Sequence, residues 1–336
     1  MTAYTGIQGQ NILIVSSDPA NPTEGQIWYN STSNLLKGYQ FATVNAFASG
    51  GNLPGSLQGA AGFGTQTAGL IAGGNPGPGP STAVLLYNGT SWSPTTAFNT
   101  NRGSFGAIGV SQTAGIIMGG YDTAYSTATE SWNGSSWTTV NTLNVGRGSG
   151  AAIGTSAAGL WGVGDTPAGD AQTSFSAWNG TSWTSAPNTN TGRNASPAAF
   201  GTQTAGLIAG GRLAPPSNTN ATELYNGTSW TSNPTGLNTT RRNMGSAGTQ
   251  TAGLAFGGAT GPSLVTEVLT GATELWNGTS WTSNPTGLAT ARRSLASVGT
   301  SSLAFGAGGY NAVPGITNAT EEWTGQAVQV RTITTS

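Results

Sequence analysis

The sequence contains no cysteine and no histidine, and only 6% of its 336 residues are charged. Without cysteine there are no disulfides and no thiolate chemistry. Without histidine there is no imidazole base, and zinc, haem and the usual hydrolase triads are excluded as well. An ordinary globular domain carries about 25% charged residues, so the polar surface here must be made of Ser, Thr, Asn and Gln. Ten Lys and Arg against eleven Asp and Glu leave a net charge of −1. Repulsion between copies is then weak, which favours a homo-oligomer or a larger assembly, and nucleic acid, which needs clustered Lys and Arg, is not an expected partner. The stretch MTAYTGIQGQ has neither a basic segment nor a long apolar run, so no secretory signal is expected. The only early apolar run, 12–15, is far too short for membrane insertion.

What is abundant is glycine (54 residues), tryptophan (11 residues) and repetition. ATELYNGTSWTSNPTG at 221–236 returns as ATELWNGTSWTSNPTG at 272–287, with degraded copies at 83–92, 128–137 and 175–183. A chain that repeats itself at this period is a repeat architecture. In the copy 194–236 the pattern predicts strands at 198–201, 205–209, 222–225 and 228–232. The turn at Thr202-Gln203-Thr204 joins the first two, and Asn226-Gly227 is expected to form a type I′ hairpin turn between the last two. Four short strands with tight turns make one blade of a β-propeller.

Counting fixes the register. The strand-four aromatic recurs as Phe47, Trp92, Trp137, Trp183, Trp230 and Trp281, and the residue closing strand two as Gly74, Gly120, Asp165, Gly211, Gly258 and Gly309. The strand-three aromatics Tyr87, Trp132, Trp178, Tyr225 and Trp276 each precede their Trp by five residues. Length varies in one place only, the loop between strands two and three. Loops that vary on a fixed scaffold are where binding is usually placed.

A double glycine ending strand two, an aromatic ending strand three, a Trp shortly after it and an Arg beyond strand four recur together, the Arg as Arg102, Arg147, Arg193, Arg241 and Arg292. In this the portion 42–336 resembles the kelch repeat. The resemblance implies an all-β, kelch-type β-propeller of six blades, or seven if the leader contributes more than one strand. Gly164-Asp165 in place of the double glycine, and Trp323 without a partner Trp, depart from the pattern. Some kelch proteins are copper radical oxidases, whose metal needs histidines and a cysteine-linked tyrosine; this chain has neither His nor Cys. Ring closure has two candidates, an outer strand from 42–49 or one from 328–332.

Residues 1–41 stand outside the repeat. The segments 11–16, 26–30 and 35–40 read as strands, with a turn over 18–22 set by two prolines. This leader, with DPANPTEGQIWYNSTSNLLKG at 18–38, resembles a segment of bacteriophage tail and other virion proteins, especially marine ones. The resemblance implies a non-enzymatic structural or adhesion component of a particle (tail fibre, spike or decoration protein), docked to other virion proteins through its leader. The alternative is a bacterial surface or secreted lectin-like adhesin. A hydrolase ranks last, since acids outside the repeated series are scarce.

The repeated residues read as structure. Glu130, Glu223, Glu274 and Glu321 recur once per copy, as does the Arg series, and a catalytic site would break that symmetry. The tryptophans, Trp161 among them, read as core. The Asn-Gly-Thr/Ser sequons at Asn88, Asn133, Asn179, Asn226 and Asn277 read as turns rather than glycan acceptors. Asp165 and Asp170 share a loop, but two carboxylates do not make a calcium site, and neither metal nor cofactor is expected. The side chains able to recognise a host glycan or protein are those of the variable loops: Tyr121, Asp122, Tyr125, Arg212 and Tyr310.

Overall fold

The structure, a computed structural model, describes residues 12–20, 26–42, 45–77, 79–214, 217–261, 266–313, 315–325 and 327–332. Among them the only regular secondary structure is β-strand. Two compact units separate. One holds 46–324; the other holds the described residues of Met1–Asn45 and Gly325–Ser336.

The larger unit contains six four-stranded antiparallel sheets, among the described residues; five are made in chain order from one copy of the repeat, and the sixth takes its outer strand from the start of the unit. The fourth copy shows the pattern, with strands Ala198–Thr202, Ala205–Ala209, Thr222–Tyr225 and Trp230–Asn233. The first strand of each sheet neighbours the first strand of the next, and that of the sixth returns to that of the first. This closed circuit is the arrangement of a β-propeller.

The core is divided in the same way, one apolar cluster lying between each pair of neighbouring sheets. Phe63 and Leu70 of the first sheet meet Ile117, Trp132 and Trp137 of the second. The last cluster joins Leu254 and Phe256 to Ala304 and Trp323. The tryptophans expected to be core are buried, Trp161 included. The strand-four Trp indoles also donate hydrogen bonds to the preceding repeat: Trp183 to Thr129 Oγ1 and Trp281 to Thr222 Oγ1, each at 2.9 Å.

Ion pairs and amides stitch the same interfaces. Arg102 pairs with Glu130 at 2.8 Å, Arg193 with Glu223 at 2.5 Å and Arg241 with Glu274 at 3.0 Å; Arg292 pairs with Glu321, and all eight are buried. The glutamine of the TQT turn, expected only to turn the chain, reaches into the previous sheet. Gln112 donates to the carbonyls of Gly69 and Tyr87 at 2.7 and 2.9 Å, and Gln203 and Gln250 repeat the contact two and three sheets on.

Two local expectations change. The Asn226-Gly227 hairpin is not a two-residue type I′ turn. Tyr225 pairs with Trp230, so four residues lie between, and the Asn226 carboxamide oxygen accepts from the Thr228 and Ser229 amides. The fourth strand accordingly starts at Trp230 rather than at 228. In the third copy, Val163 and Gly164 hold the positive-φ pair at 50° and 78°, as Gly210 and Gly211 do in the fourth. The motif therefore slides back one residue from Gly164-Asp165. A Cβ on Gly164 would lie 2.3 Å from the Gly148 carbonyl oxygen, so the glycine is required there. Asp165 becomes the first residue of the variable loop.

Closure uses both candidate segments, in different units. Ala46–Ser49 is the outer strand of the sixth sheet, with Phe47 opposite Trp323. Ala327–Thr332 instead pairs with Leu35–Ala42, from Ala42 opposite Ala327 to Lys37 opposite Thr332. The boundary expected at 41/42 accordingly falls at 45/46, and the chain beyond Thr324 groups with the leader.

The smaller unit is one sheet, Leu13–Val15, Ile27–Asn30, Leu35–Ala42 and Ala327–Thr332 in that order, the first pair parallel. Its hub is Asp18, whose carboxylate accepts from Trp28 Nε1 at 3.1 Å, Asn30 Nδ2 at 2.8 Å and Lys37 Nζ at 2.7 Å. Trp28 is fully buried. Lys37, Asn30 and Trp28, in that order, hold the Asp18 carboxyl at about 2. The turn expected over 18–22 lies in part outside the described residues.

Candidate functional site

Up-and-down connection places the turns between strands one and two, and three and four, at one end of every sheet of the larger unit. The loops between strands two and three share the other end with the links from sheet to sheet. Bridges between the two confirm this: Gly103 pairs with Tyr121, Asn194 with Arg212 and Arg293 with Tyr310.

At the neck of this loop face the backbone forms a hoop. Ser104, Ser149, Asn243 and Ser294 have φ between 53° and 55°, Gly59 has φ 66°, and the fourth copy spends two residues, Ala195 and Ser196, at 56° and 42°. Each donates its amide to the carbonyl of its counterpart in the preceding copy: Ser104 to Gly59 at 3.2 Å, Ser149 to Ser104 at 2.8 Å, Asn243 to Ala195 at 2.7 Å, and Gly59 back to Ser294 at 2.7 Å. Gly59 and Asn243 are of the types that adopt this left-handed backbone readily, whereas the serines and Ala195 are uncommon there and are held by the amide-to-carbonyl bonds of the hoop.

Below the hoop a channel of about 460 Å³ runs between the six first strands, lined chiefly by Gly, Ala and Ser. Among the described residues, no titratable side chain lines it. Above the hoop a recess of about 480 Å³ opens among the loops, and its lining is of another kind: Asp122, Asp165, Arg212, Arg242 and Arg293, with Tyr121 and four amides.

The contrast extends to the whole larger unit. Its charged residues are the periodic Arg and Glu, Glu322, and seven others. Glu322 accepts from the Tyr87 hydroxyl. All seven others, namely Asp122, Asp165, Asp170, Glu267, Arg212, Arg242 and Arg293, sit on this loop face.

The seven are organised. Glu267 accepts from Arg242 through one carboxylate oxygen and from Arg293 through the other, each at 3.0 Å. Arg242 also donates to Asn218 Oδ1 at 2.9 Å. Burial lowers the Arg242 pKa, Glu267 opposes that, and neighbouring Arg212 and Arg293 add to it. On the other side Asn194, itself 1% exposed, donates to Asp165 and accepts from Arg212 Nε at 3.2 Å. Asp170 lies 3.8 Å from Arg212. Burial raises the Asp165 carboxyl above the usual range.

Tyr121, Asp122 and Arg212, expected as recognition residues, line the recess. Tyr125 packs edge-on against Tyr121, ring centroids 5.1 Å apart. Tyr310 lies under the Arg293 guanidinium at 4.7 Å and is not part of the lining. Asp165, which the sequence offered only as half of a weak cation pair, is a wall of the recess. Among the described residues no group of three acidic, His or Cys side chains could hold a metal. Arg242, Arg293 and Glu267 were not singled out at all. Their signal was present: Arg241-Arg242 and Arg292-Arg293 are pairs of which only the first member is periodic.

The fold class is thus all-β, of β-propeller arrangement, with one charged face. Among solved structures, one titled "Structure of YjhT" is similar, with a TM-score of 0.68 and 13% identity over 83% of this chain and 99% of that one. At that identity the likeness speaks for the fold alone. No family model and no curated protein matches the chain.

Proposed function

We propose that the chain is a six-bladed propeller of the kelch type that works as a non-enzymatic attachment or assembly component of a phage particle. In this reading the leader docks to other virion proteins and the loop face contacts a partner. The observation that carries the binding role is that seven of the eight non-periodic charges of the ring, all but Glu322, gather onto one face. Exposed apolar side chains point the same way: of the six large ones among the described residues of the ring, Tyr121, Val145, Val268 and Val313 lie on the loops and links of this face. The opposite face carries the repeated Asn-Gly turns, whose Asn side chains are occupied in capping their own turns.

A binding rather than catalytic role is favoured by the channel, which offers no acid, base or nucleophile beyond hydroxyls. The particle setting rests on the leader resemblance.

The test is co-sedimentation of the chain with particles, followed by adsorption of particles carrying Tyr121→Ala with Arg212→Ala. The proposal expects the chain in purified particles and at least tenfold slower adsorption by the double variant. A chain recovered only with cell envelope contradicts the setting; unchanged adsorption contradicts the face.

A further inference from the structure

We infer that the recess on the loop face binds one neutral sugar residue of a glycan, with Tyr121 as its stacking platform. The Asp165–Asn194–Arg212 chain is its hydrogen-bonding wall. The inference rests on the reading of this face as the binding surface and names what enters it.

Size comes first. A recess of about 480 Å³ lies in the lower part of the range of about 300–1,000 Å³ typical of small-molecule sites. It has room for one or two sugar rings, not for a folded partner.

The lining chemistry fits polyols. A sugar hydroxyl is at once donor and acceptor, and its best partners are planar groups that present both roles at fixed spacing: carboxylate, carboxamide and guanidinium. The recess has all three, linked so that each fixes the next. Asn194 is buried and aligned by Asp165 on one side and Arg212 on the other. Asp165 is further held by the Ala171 amide at 3.3 Å. A wall already ordered loses little rotamer freedom on binding.

The platform is the second element. Tyr121 is 46% exposed at the rim, and its ring is braced edge-on by Tyr125. A large half-exposed aromatic is costly to leave in water, and the C–H face of a pyranose covers such a ring while leaving its hydroxyls free for the wall.

Charge decides between neutral and acidic sugars. Three arginines at one mouth suggest an anion site, yet their guanidinium groups are already engaged. Glu267 spans Arg242 and Arg293, and Asn194 and Asp170 attend Arg212. Asp165 and Asp122 face the same space. A carboxylate or sulfate would have to compete with Glu267 for Arg242 and Arg293, or with Asp170 for Arg212, and approach Asp165 and Asp122 besides, whereas a neutral sugar meets neither cost.

The test uses the full chain on an array of immobilised oligosaccharides with neutral and acidic terminal residues, followed by calorimetry with the methyl glycoside of the sugar retained. The expected result is retention of neutral-terminated glycans, weakened at least tenfold by Tyr121→Ala at unchanged Tm, and also by Arg212→Lys, which keeps the charge and removes the fork. Retention of acidic glycans alone overturns the inference, as does neutral-glycan binding indifferent to Tyr121→Ala. If no glycan is retained but Arg212→Ala still slows particle adsorption, the sugar inference falls and the face reading stands. If neither effect appears, both fall.

Discussion

Phe47 faces Trp323 across the outermost strand pair of the sixth sheet, their rings 5.2 Å apart, although they stand near opposite ends of the chain. Phe47 also meets Phe256 at 5.0 Å. A ring whose last sheet borrows its outer strand from the start of the unit cannot open at that joint without losing these contacts. Gln66 reinforces the joint by donating to the Ala304 and Trp323 carbonyls at 2.9 and 2.7 Å.

Phe47→Ala should therefore destabilise the ring by about 2–4 kcal/mol, below the roughly 3–5 kcal/mol of a fully buried phenylalanine because Phe47 is only partly buried. Urea unfolding measures it, with Ala48→Ser on the exposed side of the same strand as control. A change no larger than the control's would mean that the strand does not close the ring.

The glutamine latches are the second test. Gln112→Ala removes two hydrogen bonds and leaves two carbonyls short of a donor, a loss of about 1–3 kcal/mol. Thr113→Ala, one residue on, should change stability by less than about 0.5 kcal/mol. Equal effects of the two in thermal melts would show that the turn, and not the latch, matters.

Arg147 and Arg193 occupy the same place in successive repeats but not the same environment. Arg193 meets the Glu223 carboxylate, whereas Arg147 meets only the carbonyls of Val163 and Ser174 and the Ser174 hydroxyl. Burial holds the Arg147 pKa down to about 10. Arg193→Leu strands a buried carboxylate and should cost about 3–5 kcal/mol. Arg147→Leu leaves only neutral acceptors and should cost about 1–3 kcal/mol. The first repeat already carries Leu57 and Leu85 where others carry the Arg and Glu, and there the two pack in one cluster. Chemical denaturation of the two variants should reproduce the order.

The leader should respond to acid. Its Asp18 has a folded pKa of about 2, below the ordinary 3.8, through Lys37, Asn30 and Trp28. A depressed carboxyl stabilises the fold above its unfolded pKa and loses that contribution as pH falls through the folded one. The Trp28 indole N–H resonance should hold its position above about pH 3 and shift with a midpoint near pH 2, while Asp18→Asn abolishes the titration. A resonance indifferent to pH in the native chain would contradict the hub.

The repeat carried most of the fold in its lettering. Trp183, Trp230 and their partners kept register because an aromatic between two sheets cannot slide without opening the core. The errors arose where two local solutions share one sequence. Asn226-Gly227 fits a two-residue turn as well as the longer loop that the Asn side chain caps. A β-branched residue at φ 50° is uncommon, so the lettering does not point to Val163 as half of the pair, and Asp165 reads as the end of strand two rather than as the first residue of the loop. The pairing of Leu35–Ala42 with Ala327–Thr332 joins segments too distant for any local signal. At the site, Tyr121, Asp122 and Arg212 were legible as loop residues. Arg242 and Arg293 were masked by the periodic arginines beside them, and Asn194 by the blandness of an amide in an amide-rich chain.

The most direct measurement is electron cryomicroscopy of the protein in its native assembly with its partner bound, asking which face of the ring the partner touches. The account predicts partner density over the loop face, within reach of Tyr121, Asp165 and Arg212, with the Asn-Gly turns of the opposite face free of it. Partner density on those turns, with the charged recess open to solvent, would contradict it.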